Sequence, residues 1–151
     1  MYKRWGIENY IALGEMLIAQ GYYVGFIIGP SEQEYVSRLS ESESRFVVHQ
    51  DLDFASLVRT IASYEILINN DSGVGHIAAG LGLKIVSLYG PTDPNLYKPL
   101  SSKIKIIQKL PVMACMPCYD KNRSRYGCSL KPCMADITVD RVLESVLSFN
   151  E

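Results

Sequence analysis

The residues best suited to chemistry lie in one run, Asp71-Ser72-Gly73-Val74-Gly75-His76. It brings an acid, a hydroxyl, two glycines and an imidazole close together. An apolar segment, Tyr64-Glu65-Ile66-Leu67-Ile68, precedes it, and a second, Ile85-Val86-Ser87-Leu88-Tyr89, follows the Ala-rich stretch. The pattern predicts strand, tight turn, short helix and strand, a parallel β-α-β unit with a right-handed connection. Asp71 or Ser72 can cap the helix by accepting a backbone N–H bond. Gly73 and Gly75 let a ligand approach the backbone with no Cβ in the way. The first amides of a helix have no internal partners, and the helix dipole favours an anion there. His76, one turn in, is placed to donate a ring N–H to a phosphate oxygen. Gly80 and Gly82 are expected to let the helix pack tightly and stop cleanly. The chemistry this suggests is the holding of a phosphate group. The bland alternative is a cap and turn in any α/β domain.

Stepping outward along the chain, residues 7–20 predict a helix with Ile7, Tyr10, Ile11, Leu17 and Ile18 on one face, ended by Gly21. Residues 23–28 read as a buried strand stopped by Gly29-Pro30. Ser31 is the expected cap of a second helix, with Glu34 completing a capping box. Residues 45–49 form a short strand, and Asp53 caps a third helix whose apolar stripe is Phe54, Leu57, Val58, Ile61 and Ala62. Residues 104–107 give a last strand. Residues 114–133 form a Cys-rich loop, and Thr138 caps a final helix over residues 138–148. Strands alternating with helices imply a single α/β domain over residues 1–151, a Rossmann-like parallel sheet with helices on both faces. Ligands of such sheets sit at the carboxyl ends of the strands. The turns after Ile28, His49, Asn70 and Tyr89 should therefore share one rim. Glu32, just after the strand ending at Ile28, is placed to accept ribose hydroxyls, as acids do in dinucleotide folds; a first-turn acid favoured by the helix dipole is the plainer alternative. Leu52 is either part of a base slot or a core contact.

The chain has 151 residues, enough for one domain with a substantial core; 48% are hydrophobic and 21% charged, ordinary for a soluble globular protein. A formal charge of −1 gives no global basic field for nucleic acid. The basic N-terminus lacks the apolar core of a signal peptide, so a cytoplasmic location is expected. The four cysteines, Cys115-x2-Cys118-x9-Cys128-x4-Cys133, are then thiols or metal ligands rather than disulfides. Their spacing is compatible with tetrahedral zinc, but loose for a zinc ribbon, and thiols packed under a loop are preferred.

The run Asp71-Ser72-Gly73-x-Gly75-His76-x-Ala78-Ala79-x-Leu81-Gly82, followed by Val86-Ser87-Leu88-Tyr89-Gly90-Pro91-Thr92-Asp93-Pro94, resembles the signature of the family 9 glycosyltransferases, the heptosyltransferases of lipopolysaccharide inner-core synthesis. Lys3-Arg4-Trp5 resembles the Lys-Arg-Trp-Pro motif that opens the second half of that family, with Gly6 in place of Pro and so a looser helix entry. Ser72 stands where Thr is usual and keeps the hydroxyl. The resemblance implies a GT-B enzyme of two facing Rossmann-like domains, of which this chain is the C-terminal, sugar-nucleotide-binding one. It implies that Lys3 reaches the donor phosphates, that a Glu near Glu32 binds ribose, and that Asp71, Ser72, Gly73 and His76 contact the donor. It also implies ADP-heptose or another nucleotide sugar as donor substrate, no required cofactor or metal, and a lipopolysaccharide core acceptor bound by the absent N-terminal domain. That domain would carry the catalytic base, and no residue here is a good candidate for it. A sheet lacking the strand before Lys3 is expected to leave an unpaired edge, open to a second copy or a partner. The rival readings are a non-catalytic nucleotide-binding or partner-interaction module and, more weakly, a 2-epimerase of the same build.

Overall fold

A computed structural model of the protein describes residues 3–41, 46–120, 123–124 and 132–150. The elements run α1 (Ile7–Ala19), β1 (Gly25–Ile27), a 3-10 turn (Pro30–Glu32), α2 (Glu34–Glu41), β2 (Val47–His49), α3 (Phe54–Ala62), β3 (Ile66–Asn70), α4 (Gly73–Gly80), β4 (Lys84–Tyr89), α5 (Pro94–Tyr97), β5 (Ile104–Gln108), β6 (Tyr119–Asp120), β7 (Arg123–Ser124), α6 (Pro132–Ala135) and α7 (Val139–Leu147). Strands β1 to β5 pair in parallel and alternate with helices; β6 and β7 form a small antiparallel pair.

The expected layers are present. Side chains alternate along each strand, so Ile66 and Ile68 of β3 and Val86 and Leu88 of β4 join one cluster, with Leu13 and Leu17 of α1 and Val142 and Val146 of α7. Leu67 and Ile85 face the other way, onto Ile61 of α3 and Ala78 of α4. Helices therefore cover both faces. Strand β4 is the most deeply placed, with Ile85, Val86 and Leu88 fully buried.

The sheet is not continuous. Pairing gives β1 with β2, and β3 with β4 and β5, and among the described residues no ladder joins β1 to β3. The parallel strands thus fall into two separate ladders.

Several local expectations need correction. On α1 the deepest side chains are Leu13 and Leu17, so the buried stripe is rotated from the one traced through Ile7 and Ile11. Phe54 is 72% exposed, because it opens α3 before the helix reaches the sheet. Ser31 does not cap α2: the turn begins at Gly29, whose N–H donates to Glu32 Oε2 at 3.2 Å, while Glu32 N–H donates to Gly29 O at 2.9 Å. The box acid is Glu32 and not Glu34. Asp53 caps α3 as expected, its Oδ1 accepting from Ser56 N at 2.7 Å. Thr138 stands at the start of α7 but makes no side-chain cap bond.

Candidate functional site at the carboxyl rim

The central turn follows β3. Asn69 and Asn70 belong to the strand rather than to the turn. Buried Asn69 accepts from Ser87 Oγ at 2.7 Å and donates to Asn70 O at 2.6 Å, tying β3 to β4. Ser72 occupies the N-cap position of α4 in extended conformation, but neither it nor Asp71 makes the expected side-chain cap bond. The Asp71 carboxylate is drawn elsewhere: Oδ2 lies 2.5 Å from Lys3 Nζ and accepts from Thr92 Oγ1 at 2.7 Å. Thr92 is 2% exposed, so this hydroxyl is a fixed donor. In the sequence Thr92 stands only within the run that carries the family resemblance, with no role of its own. The run Gly90-Pro91-Thr92 was the signal that a polar side chain is delivered to the rim immediately after β4.

The two glycines of the turn differ. A Cβ on Gly73 would meet nothing within 4 Å, whereas one on Gly75 would lie 2.7 Å from Asn69 Nδ2 and 3.2 Å from Pro99 Cγ. Gly73 leaves open space at the helix start, and Gly75 is required for close packing of α4 on β3 rather than for ligand approach. Gly80 also faces open space; Gly82, with φ +78°, is the residue that stops α4. Ser72, Gly73 and His76 are exposed around the first turn of α4; Gly75 N donates back to Ser72 O at 3.2 Å, which leaves Gly73 and Val74 as the leading amides with no intrahelical acceptor.

The segment Lys3-Arg4-Trp5 spans the rim. Lys3 reaches the turn after β3. Arg4 reaches the turn after β1, donating from Nη2 to Ser31 O and Ser31 Oγ at 3.0 Å, with Nε 3.2 Å from Glu32 Oε1. That last contact is an ion pair rather than an aligned hydrogen bond. Its guanidinium also lies 5.6 Å from the Tyr35 ring centre. Trp5, 3% exposed, donates from N to Asn70 Oδ1 at 3.1 Å and from Nε1 to Ile137 O at 2.7 Å. From the turn after β2, Asp51 accepts from Gln33 Nε2 at 3.3 Å. The turns after β1, β2, β3 and β4 are therefore linked along one rim, as the fold class required.

Among the expected site residues, the structure brings Lys3 and Asp71 into contact and places Ser72, Gly73 and His76 beside them on α4. Glu32 sits across the segment, on Arg4, with both carboxylate oxygens already engaged. Arg4 was not singled out from the sequence, although it stands next to Lys3. Burial first, and the Asp71 charge second, push the Tyr89 hydroxyl well above its ordinary pKa, and it donates to Tyr97 O at 3.0 Å. Asp93 accepts from Asn95 N at 2.8 Å and starts α5, a structural use of that acid.

The Cys-rich loop returns to this rim, where Cys118 N donates to Pro91 O at 2.7 Å. Cys115 is exposed and Cys133 buried in α6; Cys128 lies outside the described residues. Among the described residues no group of three or more His, Cys, Asp or Glu is arranged to hold a metal ion. Nor is any helix there long and apolar enough to cross a membrane.

These features define a Rossmann-like α/β domain with polar side chains gathered at the carboxyl rim of its parallel strands. The structure superposes on E. coli ADP-heptose LPS heptosyltransferase II with a TM-score of 0.77 at 27% identity, over 97% of this chain and 41% of that one. It shares its fold with a family 9 glycosyltransferase from Veillonella parvula (TM-score 0.78, 23% identity, 97% and 42% covered) and with E. coli heptosyltransferase WaaC solved with ADP (TM-score 0.74, 21% identity, 99% and 40% covered). Residues 1–128 match the sequence profile of Glycosyltransferase family 9 (heptosyltransferase). The chain belongs to glycosyltransferase family 9. Curated relatives include Lipooligosaccharide heptosyltransferase 2 of Haemophilus influenzae, 38% identical over 70% of this chain and 32% of its own length. Lipopolysaccharide heptosyltransferase 2 of E. coli K12 is 30% identical over 95% and 42%. The chain spans less than half the length of each of these relatives.

Proposed function

We propose that residues 1–151 form a single sugar-nucleotide-binding domain of a cytoplasmic heptosyltransferase acting in lipopolysaccharide core synthesis, with ADP-heptose or a similar nucleotide sugar as donor. The observation that carries this is the placing of Lys3, Ser72, Gly73 and His76 around the open start of α4. An ammonium, a hydroxyl, an imidazole and unpaired amides together suit a diphosphate. Asp71 and Thr92 hold the Lys3 ammonium in place at the edge of that space. A diphosphate arriving there competes with Asp71 for the ammonium and leaves the Asp71 oxygen to Thr92. Glu32 is the candidate for ribose; it must share its carboxylate with Arg4 and Gly29. In the transfer reaction these groups stabilise charge as it develops on the leaving diphosphate. The base that deprotonates the acceptor hydroxyl, and the acceptor site itself, come from a facing domain. No metal is needed for these roles.

The test is calorimetry of the chain with ADP, UDP, GDP and CDP. We expect ADP to bind, and Lys3→Met to weaken it by about tenfold, or roughly 1.4 kcal/mol. No nucleotide binding, or binding indifferent to Lys3, would overturn the proposal. Turnover of a nucleotide sugar by the chain alone would overturn the assignment of the base to another domain. A second reading, a module that recruits a partner, is favoured by the interrupted sheet.

A further inference from the structure

Arg4 lies beside Lys3 on the rim but reaches the other way. From one short segment, Lys3 meets Asp71 after β3, and Arg4 meets Ser31, Glu32 and Tyr35 after β1. The guanidinium is held on several sides. Nη2 donates to both the carbonyl and the hydroxyl of Ser31 at 3.0 Å. Nη1 donates to Tyr35 Oη at 3.4 Å and lies 3.9 Å from Glu34 Oε1. Its carbon sits 5.6 Å from the Tyr35 ring centre. The backbone is fixed next door, where Trp5 N is bonded to Asn70 at the end of β3. Only 17% of the Arg4 side chain is exposed.

One group in this cluster is not satisfied. Arg4 Nε is buried, and no acceptor is aligned with it among the described residues, although Glu32 Oε1 is 3.2 Å away. A buried donor without an acceptor is unfavourable for folding. Stability alone therefore does not account for the arrangement. Glu32 is held out of line by Gly29, whose N–H is bonded to Oε2 at 3.2 Å. The consequence lies at Oε1. It feels the guanidinium charge but accepts no aligned hydrogen bond from Arg4. A carboxylate oxygen has two lone-pair directions, so Oε1 keeps its accepting capacity. The Glu32 side chain is 31% exposed and is reached from the rim. Tyr10 of α1 also senses this carboxylate: burial first, and the Glu32 charge second, push its hydroxyl well above its ordinary pKa. Tyr10 thus stays neutral, and the Glu32 charge is met by Arg4.

We propose that Arg4 is a positioning residue for ribose recognition. It holds Glu32 by charge, without spending the lone pairs of Oε1, in the orientation that accepts the vicinal hydroxyls of a ribose. It thereby sets a preference for ribonucleotides over 2′-deoxyribonucleotides. This rests on the reading of Glu32 as the ribose acid. Because Lys3 and Arg4 are adjacent, the diphosphate contact and the ribose contact hang on one backbone segment. The rim then selects a ribonucleoside diphosphate as a unit.

The test is calorimetry of the chain with ADP and with 2′-deoxy-ADP, read as the ratio of the two affinities. A hydrogen bond to a carboxylate predicts about a tenfold preference for ADP in the parent. Glu32→Gln and Arg4→Met should each bring that ratio below about twofold, whereas Lys3→Met should weaken both nucleotides alike. Arg4→Lys keeps the stem and the charge but lacks the fork that grips Ser31, so its ratio should fall below about threefold. That variant carries the test if Arg4→Met does not fold. A merely structural arginine would lower both affinities together, so a parental ratio in either Arg4 variant overturns the proposal. If Glu32→Gln loses the preference while the Arg4 variants keep it, the ribose role of Glu32 stands and that of Arg4 falls. A parent with no preference overturns the ribose role and this inference with it. A parent that binds neither nucleotide overturns the nucleotide reading as well.

Discussion

Replacing Gly75 with alanine sets a favourable and an unfavourable effect against each other. Alanine in place of a helical glycine gains about 1 kcal/mol. Against this, the new Cβ would lie 2.7 Å from Asn69 Nδ2 and 3.2 Å from Pro99 Cγ. Asn69 cannot swing away cheaply, because its amide is bonded to Asn70 O and its carbonyl to Ser87 Oγ. Overpacking of this kind costs about 2 kcal/mol, and loosening one of the Asn69 bonds about 1 kcal/mol more. The net loss is about 2 kcal/mol, or roughly 4–8 °C in melting temperature for a chain of this size. Gly73→Ala meets no neighbour and should leave the melting temperature within about 2 °C of the parent. If a phosphate occupies the space before α4, that same variant should weaken ADP binding by about tenfold. Calorimetric scans of both variants, with and without ADP, separate the two roles. A Gly75→Ala protein that melts at or above the parent, or a Gly73→Ala protein that falls as far as Gly75→Ala, refutes the packing reasoning.

Three further outcomes are expected. Thr92→Val removes the buried donor to Asp71 with little change in volume and should cost about 1.5 kcal/mol in urea unfolding, with Thr92→Ser recovering most of it. Tyr89 has its hydroxyl pKa raised by burial and then by Asp71, so its neutral form contributes stability that is complete below about pH 10 and lost as pH rises further; Tyr89→Phe should flatten the alkaline fall in urea midpoint. Hydrogen bonds from Ser56 hold the Asp53 carboxyl below its ordinary range, so its contribution is present above that range and lost as pH falls through the lowered value; Asp53→Ala should remove this part of the acid-side loss of melting temperature.

What could be read from the sequence was what is local. The β-α-β unit, the Asp53 cap and the ordering of strands and helices follow from short-range periodicity and capping chemistry, and the structure has them. The motif around Asp71 was legible because its residues are contiguous. Their partners were not. Lys3 is 68 residues from Asp71, and Thr92 is 21, and no spacing rule links them. Asp71 was expected to cap α4 because Asp does so when nothing better is near; a lysine and a buried threonine are nearer. Glu32 displaced Glu34 from the capping box because Gly29, which has no side chain to advertise it, begins the turn. The glycines of the turn looked interchangeable until Asn69 was seen beside one of them.

The chain contains a single tryptophan. Trp5 stands two positions from Lys3, sealed from solvent between the end of β3 and the segment that precedes α7. Its indole is thus a natural optical probe: a red shift in emission would report that the N-terminal segment has lifted off the rim, with no label attached. A titration followed at that one wavelength would distinguish a ligand that draws on Lys3 from one that binds elsewhere.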